Sequence, residues 1–192
     1  MVQIAKERKE EEQAYYEVRQ RFTRNGKLVY AGELLQLAYQ KYPKKIALIC
    51  DEKSVSYEEF YFRSILLSKK LQSLGIKSRD KVILYSGNSI DFYIAYFAIW
   101  QIGAVVVPLN IFLHEKELLY VIENCEAVAC FVSNDFEKKI KKISEEKEFA
   151  NIRHILINKD IDWQTPVENN IEFEVEKLDQ DESRARIAID CD

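Results

Sequence analysis

The chain has 192 residues, 47% of them hydrophobic and 31% charged, with a formal net charge of −4. That balance fits one or two globular domains burying their own core, and the acidic sign excludes a general nucleic-acid binder, which carries a basic surface. The five glycines (Gly26, Gly32, Gly75, Gly87 and Gly103) never lie closer than six positions apart, which excludes a self-contained glycine-rich phosphate loop, built from clustered glycines.

Residues 1–26 form a charge-dense, helix-prone leader in which lysine and arginine alternate with glutamate, closed by Asn25-Gly26. Gly32 to Tyr42 carries Leu34, Leu35, Leu37 and Ala38 and reads as a short helix stopped by Pro43. Ile46 to Cys50 is a compact apolar strand. Ser56 is placed to cap a helix, with Glu59 three residues on to complete a capping box. The following positions Tyr57, Phe60, Ser64, Leu67, Leu71 and Leu74 recur at steps of three and four, and Gly75 ends the pattern. Lys81 to Tyr85 reads as a buried strand, and Ser86-Gly87-Asn88-Ser89 as a turn capping the helix Ile90 to Ile102.

From Phe92 to Leu113 no residue is charged over 22 positions, long enough by itself to cross a bilayer. Gly103, the β-branched run Val105 to Val107, Pro108 and Asn110 break that run into a buried helix, a stop and a buried strand. The expectation is a core element and no transmembrane segment. A helix from Glu115 to Asn124, a strand from Val128 to Val132, an amphipathic helix from Asp135 to Phe149 and a strand from His154 to Ile157 complete the alternation. Phe136, Ile140, Ile143 and Phe149 are the inward positions of that last helix. Apolar strands alternating with helices predict an α/β fold, a mostly parallel sheet with helices on both faces, over residues 27–159.

Residues 160–192 hold eleven acidic and three basic residues, a local charge of −8. Within them Ile171, Phe173 and Val175 alternate with Glu172, Glu174 and Glu176, the pattern of a half-exposed strand.

Cys50, Cys125, Cys130 and Cys191 make no C-x-x-C pair, and His114 and His154 make no paired ligand motif, so no metal centre is expected. The leader has no apolar signal core, so the expectation is a reducing cytoplasm with free thiols. Cys50 and Cys130 read as small core residues. No Ser-His-acid or Cys-His constellation can be written.

Three stretches together point further: Val55-Ser56-Tyr57-Glu58-Glu59-Phe60, then Asp80 to Ser89 leading through Asp91-Phe92, then Trp100 to Asn110 followed by Glu117 to Ile122. In this order and spacing they resemble the N-terminal part of the adenylate-forming (AMP-binding) ligase superfamily. Its members include acyl-CoA synthetases, peptide-synthetase adenylation domains and luciferases. Asn110 after Pro108-Leu109 leans toward the acyl- and long-chain-fatty-acid-CoA synthetases. Gly103, Pro108 and Asn110 match the family's early core motif, with a structural role in turning the chain.

The resemblance implies a two-step ligase for fatty acids or other carboxylates. ATP and the acid give an acyl-adenylate, which the coenzyme A thiol then attacks. ATP, Mg²⁺ and coenzyme A are therefore implied for a complete enzyme. In the family, a Ser/Thr/Gly-rich loop, later motifs and a lysine of a mobile C-terminal domain stabilise the phosphates. None of these occurs in the 192 residues, where Asp181 to Ile189 resembles the strand leading into that loop and Asp190-Cys191-Asp192 follows. No catalytic, cofactor-binding or metal-binding residue is carried over, and no cofactor is expected on this chain. Tyr57, Phe60, Phe92, Tyr96, Phe97 and Trp100 are assigned to core packing rather than to an acyl chain.

Two functions stay open. One is an N-terminal ligase fragment, expected to be inactive alone, either one half of a split enzyme whose partner is a second polypeptide carrying the remaining ligase domains or a truncated gene product. The other is a non-catalytic interaction module that uses the leader or acidic tail, or self-association.

Overall fold

A computed structural model describes residues 23–24, 27–28, 30–146 and 149–163. The chain falls into two units that meet between Tyr30 and Ala31. Of the leader expected over residues 1–26 all but Thr23 and Arg24 lies outside the described residues, as do the strand expected over Ile171 to Val175 and residues 164–192 of the acidic tail. In the first unit β1 (Thr23–Arg24) pairs antiparallel with β2 (Lys27–Leu28), Thr23 opposite Leu28. They flank Asn25-Gly26, a dipeptide that favours two-residue hairpins.

The second unit opens with α1 (Ala31–Lys41). It continues into β3 (Ile46–Cys50) and β4 (Lys53–Ser56), an antiparallel hairpin separate from the main sheet. Then come α2 (Tyr57–Ser73), β5 (Lys81–Tyr85), α3 (Ile90–Gln101), β6 (Val105–Pro108), α4 (Glu115–Cys125), β7 (Ala129–Val132), α5 (Glu137–Ile143) and β8 (His154–Ile157). The main sheet has the order β6-β5-β7-β8 and every pairing in it is parallel. Val82 lies opposite Val106 on one side and Ala129 on the other.

Side-chain alternation along each strand builds two cores, one on each face. Val82, Leu84, Val106, Ala129, Phe131 and Leu156 point toward α2 and α3. Ile83, Tyr85, Val107, Cys130, Val132 and Ile157 point toward α4 and α5. The mostly parallel sheet covered on both faces is therefore the architecture present. β3 is the exception: it pairs with β4 rather than joining that sheet, because Cys50 and Lys53 are joined by a tight turn, with Asp51 at φ 53°.

The helix limits follow from capping chemistry. Ser56 Oγ accepts the Glu59 amide at 3.2 Å, opening α2. α2 closes at Gly75, with φ +77° and the Ile76 amide donating back to the Leu71 carbonyl at 3.2 Å. A Cβ at Gly75 would meet nothing within 4 Å, so backbone conformation, not space, is what glycine serves there.

The buried face of α2 is wider than its three-four pattern: Tyr61, Ile65 and Ser68 are buried along with Phe60, Ser64, Leu67 and Leu71. The helix expected from Asp135 to Phe149 is shorter. A 3-10 turn at Asn134–Phe136 leads into α5, which ends at Ile143. Ile140, Ile143 and Phe149 are still buried, since Phe149 returns through a turn whose amide reaches the Glu146 carbonyl. The uncharged run from Phe92 to Leu113 divides into α3 and β6, and no described helix is long and apolar enough to cross a membrane.

Candidate functional site: the C-terminal edge of the parallel sheet

In the order β6-β5-β7-β8 the chain reverses direction of travel between β5 and β7. A crevice outside the carboxyl ends of such strands is where open α/β sheets bind ligands. Two turns meet there, and the Ser133 amide donates to the Tyr85 carbonyl at 3.1 Å, joining the ends of β5 and β7. Ser86 is buried, a Cβ at Gly87 would enter open space, and Ser89 Oγ caps α3 by accepting the Phe92 amide at 3.1 Å. The loops after β7 and β8 are tied as well, since Asn134 Oδ1 accepts the Lys159 amide at 2.8 Å. The buried Ser133 Oγ and Asn158 Oδ1 have no protein hydrogen-bond partner.

Asp91, the single charge within α3, organises the neighbouring polar groups. Arg63 of α2 donates to Asp91 Oδ1 at 2.6 Å and Asn158 donates through Nδ2 to Asp91 Oδ2 at 2.8 Å. The Trp163 ring lies 4.7 Å from the Arg63 guanidinium carbon and donates its indole N–H to the Asn158 carbonyl. This clasp joins α2, α3 and the segment following β8. Sequence reading missed it; its signal was a lone aspartate in the first turn of an otherwise uncharged helix.

The motif residues separate along β6. Gly103 lies before the strand, at φ +69°, where its amide reaches the Trp100 carbonyl and the Ala104 amide reaches the Ile99 carbonyl. That is a helix-terminating geometry in which a left-handed backbone favours glycine. Gly103 also accepts the Arg79 amide at 2.9 Å. Pro108 and Asn110 lie at the other end, next to the candidate crevice. Pro108 stands opposite Leu84 in the sheet register. Asn110 Oδ1 accepts the Phe112 amide at 2.9 Å, which turns the chain away from the sheet.

The chemistry on offer at this edge is neutral hydroxyls and amides beside two ion pairs, Arg63 with Asp91 and Lys159 with Glu137, and Arg63 Nε is buried without a hydrogen-bond partner. His114 is at the start of α4, its amide donating to Glu117 Oε2 at 2.7 Å, and His154 opens β8 at the far end of the sheet. The two are not brought together. Cys130 is completely buried, and burial pushes its thiol well above the usual range, with Cys125 adding to the shift; Cys125 is raised by burial too. Neither is poised as a thiolate nucleophile. Among the described residues, no three His, Cys, Asp or Glu side chains cluster to hold a metal ion.

The aromatic set is packed, with Phe60 buried and Tyr57, Phe92, Tyr96, Phe97 and Trp100 against the same core. Phe60 meets Phe97 edge-on at 5.2 Å, and Tyr96 meets Trp100 edge-on at 4.6 Å. Burial raises the Tyr96 phenol above its ordinary value.

The family described as AMP-binding enzyme matches residues 35–188. A crotonobetaine/carnitine–CoA ligase of Escherichia coli is 30% identical over 135 residues, covering 68% of this chain and 25% of the relative. A 3-oxocholest-4-en-26-oate–CoA ligase of Rhodococcus rhodochrous is 29% identical over 112 residues, covering 58% of this chain and 20% of the relative. The chain therefore spans a fifth to a quarter of the curated relatives it matches. Among solved structures, a long-chain-fatty-acid-CoA ligase from Archaeoglobus fulgidus superposes with a TM-score of 0.70 at 20% identity, covering 82% of this chain and 34% of that one. A fatty acyl CoA synthetase of Mycobacterium tuberculosis gives 0.64 at 18% identity, covering 72% and 30%. These structures share the fold, and the match over most of its length places the chain in the AMP-binding enzyme family, the adenylate-forming ligases related to acyl-CoA synthetases.

Proposed function

We propose that this chain forms the N-terminal subdomain of an ATP-dependent acyl-CoA synthetase-like ligase, which activates a carboxylate, a fatty acid among the candidates, through an acyl-adenylate. The observation that carries this reading is the family match over residues 35–188 in a chain covering a quarter or less of its curated CoA-ligase relatives. Its role is that of a scaffold, cytoplasmic and without a catalytic group of its own.

A triphosphate needs backbone amides, hydroxyls, Mg²⁺ and a spare lysine or arginine. The described residues do not fit it. Arg63 is committed to Asp91, Lys159 to Glu137, and Lys139 to the Leu113 carbonyl. Residues 86–89 contain one glycine rather than a cluster. The groups that hold ATP, Mg²⁺ and coenzyme A are therefore assigned to sequence beyond the described residues, a second polypeptide included.

ATP–pyrophosphate exchange tests the proposal. The purified 192-residue chain is expected to show no exchange with any carboxylic acid. Exchange is expected when it is mixed with a polypeptide that begins at the Ser/Thr/Gly-rich loop and carries the remaining domains. Exchange by the chain alone overturns the reading.

A second reading, a non-catalytic interaction module, draws on Phe112 and Tyr120, which are 83% and 68% exposed before and within α4. Large exposed apolar side chains of this kind favour self-association or a partner. A clean monomer by light scattering at high concentration counts against self-association.

A further inference from the structure

The β3–β4 hairpin gathers apolar side chains on its outward face. Ile46 and Ile49 are three positions apart, a spacing that regular alternation sends to opposite faces. The pairing corrects this: Ile46 stands opposite Ser56 and Ile49 opposite Ser54, with a register shift between Ile46 and Leu48. Ser54 and Ser56 share one side of β4, so the bulge turns Ile46 to the same side as Ile49. Leu48 pairs with the buried Val55 on the inward side. The outward face therefore holds Ile46, 48% exposed, Ile49, 75% exposed, and the exposed Ser54. Large apolar side chains grouped on one surface mark an interaction site.

The two ends of this face carry opposite charge. At the start of β3, Lys41 and Lys45 hold their ammonium groups 5.1 and 5.5 Å from the ring centre of Tyr42, itself 46% exposed. No acidic residue occurs from Leu34 to Cys50. At the far end the exposed Asp51 and Glu52 form the turn between β3 and β4. The five residues of β3 hold the two ends about 17 Å apart, too far to pair within one copy.

We propose that this face is a two-fold interface with a second copy of the chain. A two-fold axis through the middle of β3 sets Ile46 of each copy against Ile49 of the other. The same axis brings the lysine end of each copy to the acidic turn of the other, so both charge contacts are made twice. A face positive at one end and negative at the other fits itself, whereas a surface of uniform charge meets one end with repulsion. The apolar patch is small beside a standard interface of about 1,600 Å², so the dimer is weak and depends on concentration. The interface uses neither Phe112 nor Tyr120, and the inference does not depend on the ligase reading.

Sedimentation velocity of the 192-residue chain over a concentration series tests it. A reversible monomer–dimer equilibrium is expected. Ile49→Lys is expected to weaken it at least about tenfold, with the unfolding midpoint unchanged because the side chain is exposed. Lys45→Glu and Glu52→Lys, each alone, are expected to weaken it about threefold or more, since each reversal acts twice. The double variant, with the charges exchanged end for end, is expected to recover the dimer, which a general loss of fold would not allow. Added salt is expected to weaken the dimer of the unsubstituted chain, and Phe112→Ser is expected to leave it unchanged. A chain that stays monomeric at every concentration overturns the proposal. So does a dimer that Ile49→Lys leaves intact, or one that the charge exchange fails to restore.

Discussion

The two faces of the parallel sheet are covered by different means. Toward α2 and α3 the helices run 17 and 12 residues and bring aromatic rings and buried polar groups. Ser64, Ser68 and Gln101 are completely buried there. The Gln101 amide donates to Ser64 Oγ at 3.0 Å, and the Ser68 hydroxyl lies 2.8 Å from Gln101 Oε1 and 2.9 Å from the Ala98 carbonyl. Toward α4 and α5 the helices run 11 and 7 residues, and an exposed ion pair, Lys142 to Glu115 at 2.8 Å, bridges them. A seven-residue helix cannot hold itself together in water, so α5 depends on Ile140 and Ile143 reaching the core. The α2–α3 face is fixed by directional bonds as well as burial; the other relies on burial with a solvated fringe.

Core truncation gives the largest contrast. Phe131→Ala, on the α2–α3 side, is expected to cost about 3–5 kcal/mol, and Ile140→Ala, under α5, about 2–5 kcal/mol. Urea unfolding measures both, and hydrogen exchange separates them: Ile140→Ala should free α5 amides before β5 is affected. A smaller loss is expected from Gln101→Ala, about 1–3 kcal/mol, through the buried hydroxyls it strips of a partner. A double-mutant cycle with Ser68→Ala should then show coupling between the two residues, and strict additivity would break the network reading.

The smallest effect belongs to the fringe. Side-chain hydrogen bonds from Lys141 and then Lys159 hold the Glu137 carboxyl below its ordinary value of 4.5. A carboxylate lowered in the folded state contributes stability above its unfolded value, lost as pH falls through the folded one. An NMR titration of Glu137 should find its midpoint displaced downward, and Lys159→Ala should move it part of the way back. Little change in unfolding midpoint is expected from that variant, because exposed ion pairs contribute little to stability.

Much of this comparison was legible in the chain. The spacing of Phe60, Ser64, Leu67 and Leu71 gave one face of α2, and Gly75 and Gly103 marked the stops where positive φ is needed. Tyr61, Ile65 and Ser68 were not on that face, because a helix packed between a sheet and another helix is buried on more than one side. The strand Lys53–Ser56 was missed: it is short, polar at three of its four positions and defined only by its partner. The clasp joins positions up to 100 residues apart, from Arg63 to Trp163, a pairing no local spacing reveals.

The sequence by itself determined the alternation of strands and helices, the chain stops and the family motifs, since periodicity, capping and turn chemistry act over a few neighbouring residues. Only the tertiary structure decided that β3 leaves the parallel sheet, that β5 lies between β6 and β7, and that a lone aspartate draws together α2, α3 and the segment after β8. Those choices rest on which distant surfaces exclude water together and which buried polar atoms find a partner, and both are properties of the assembled core.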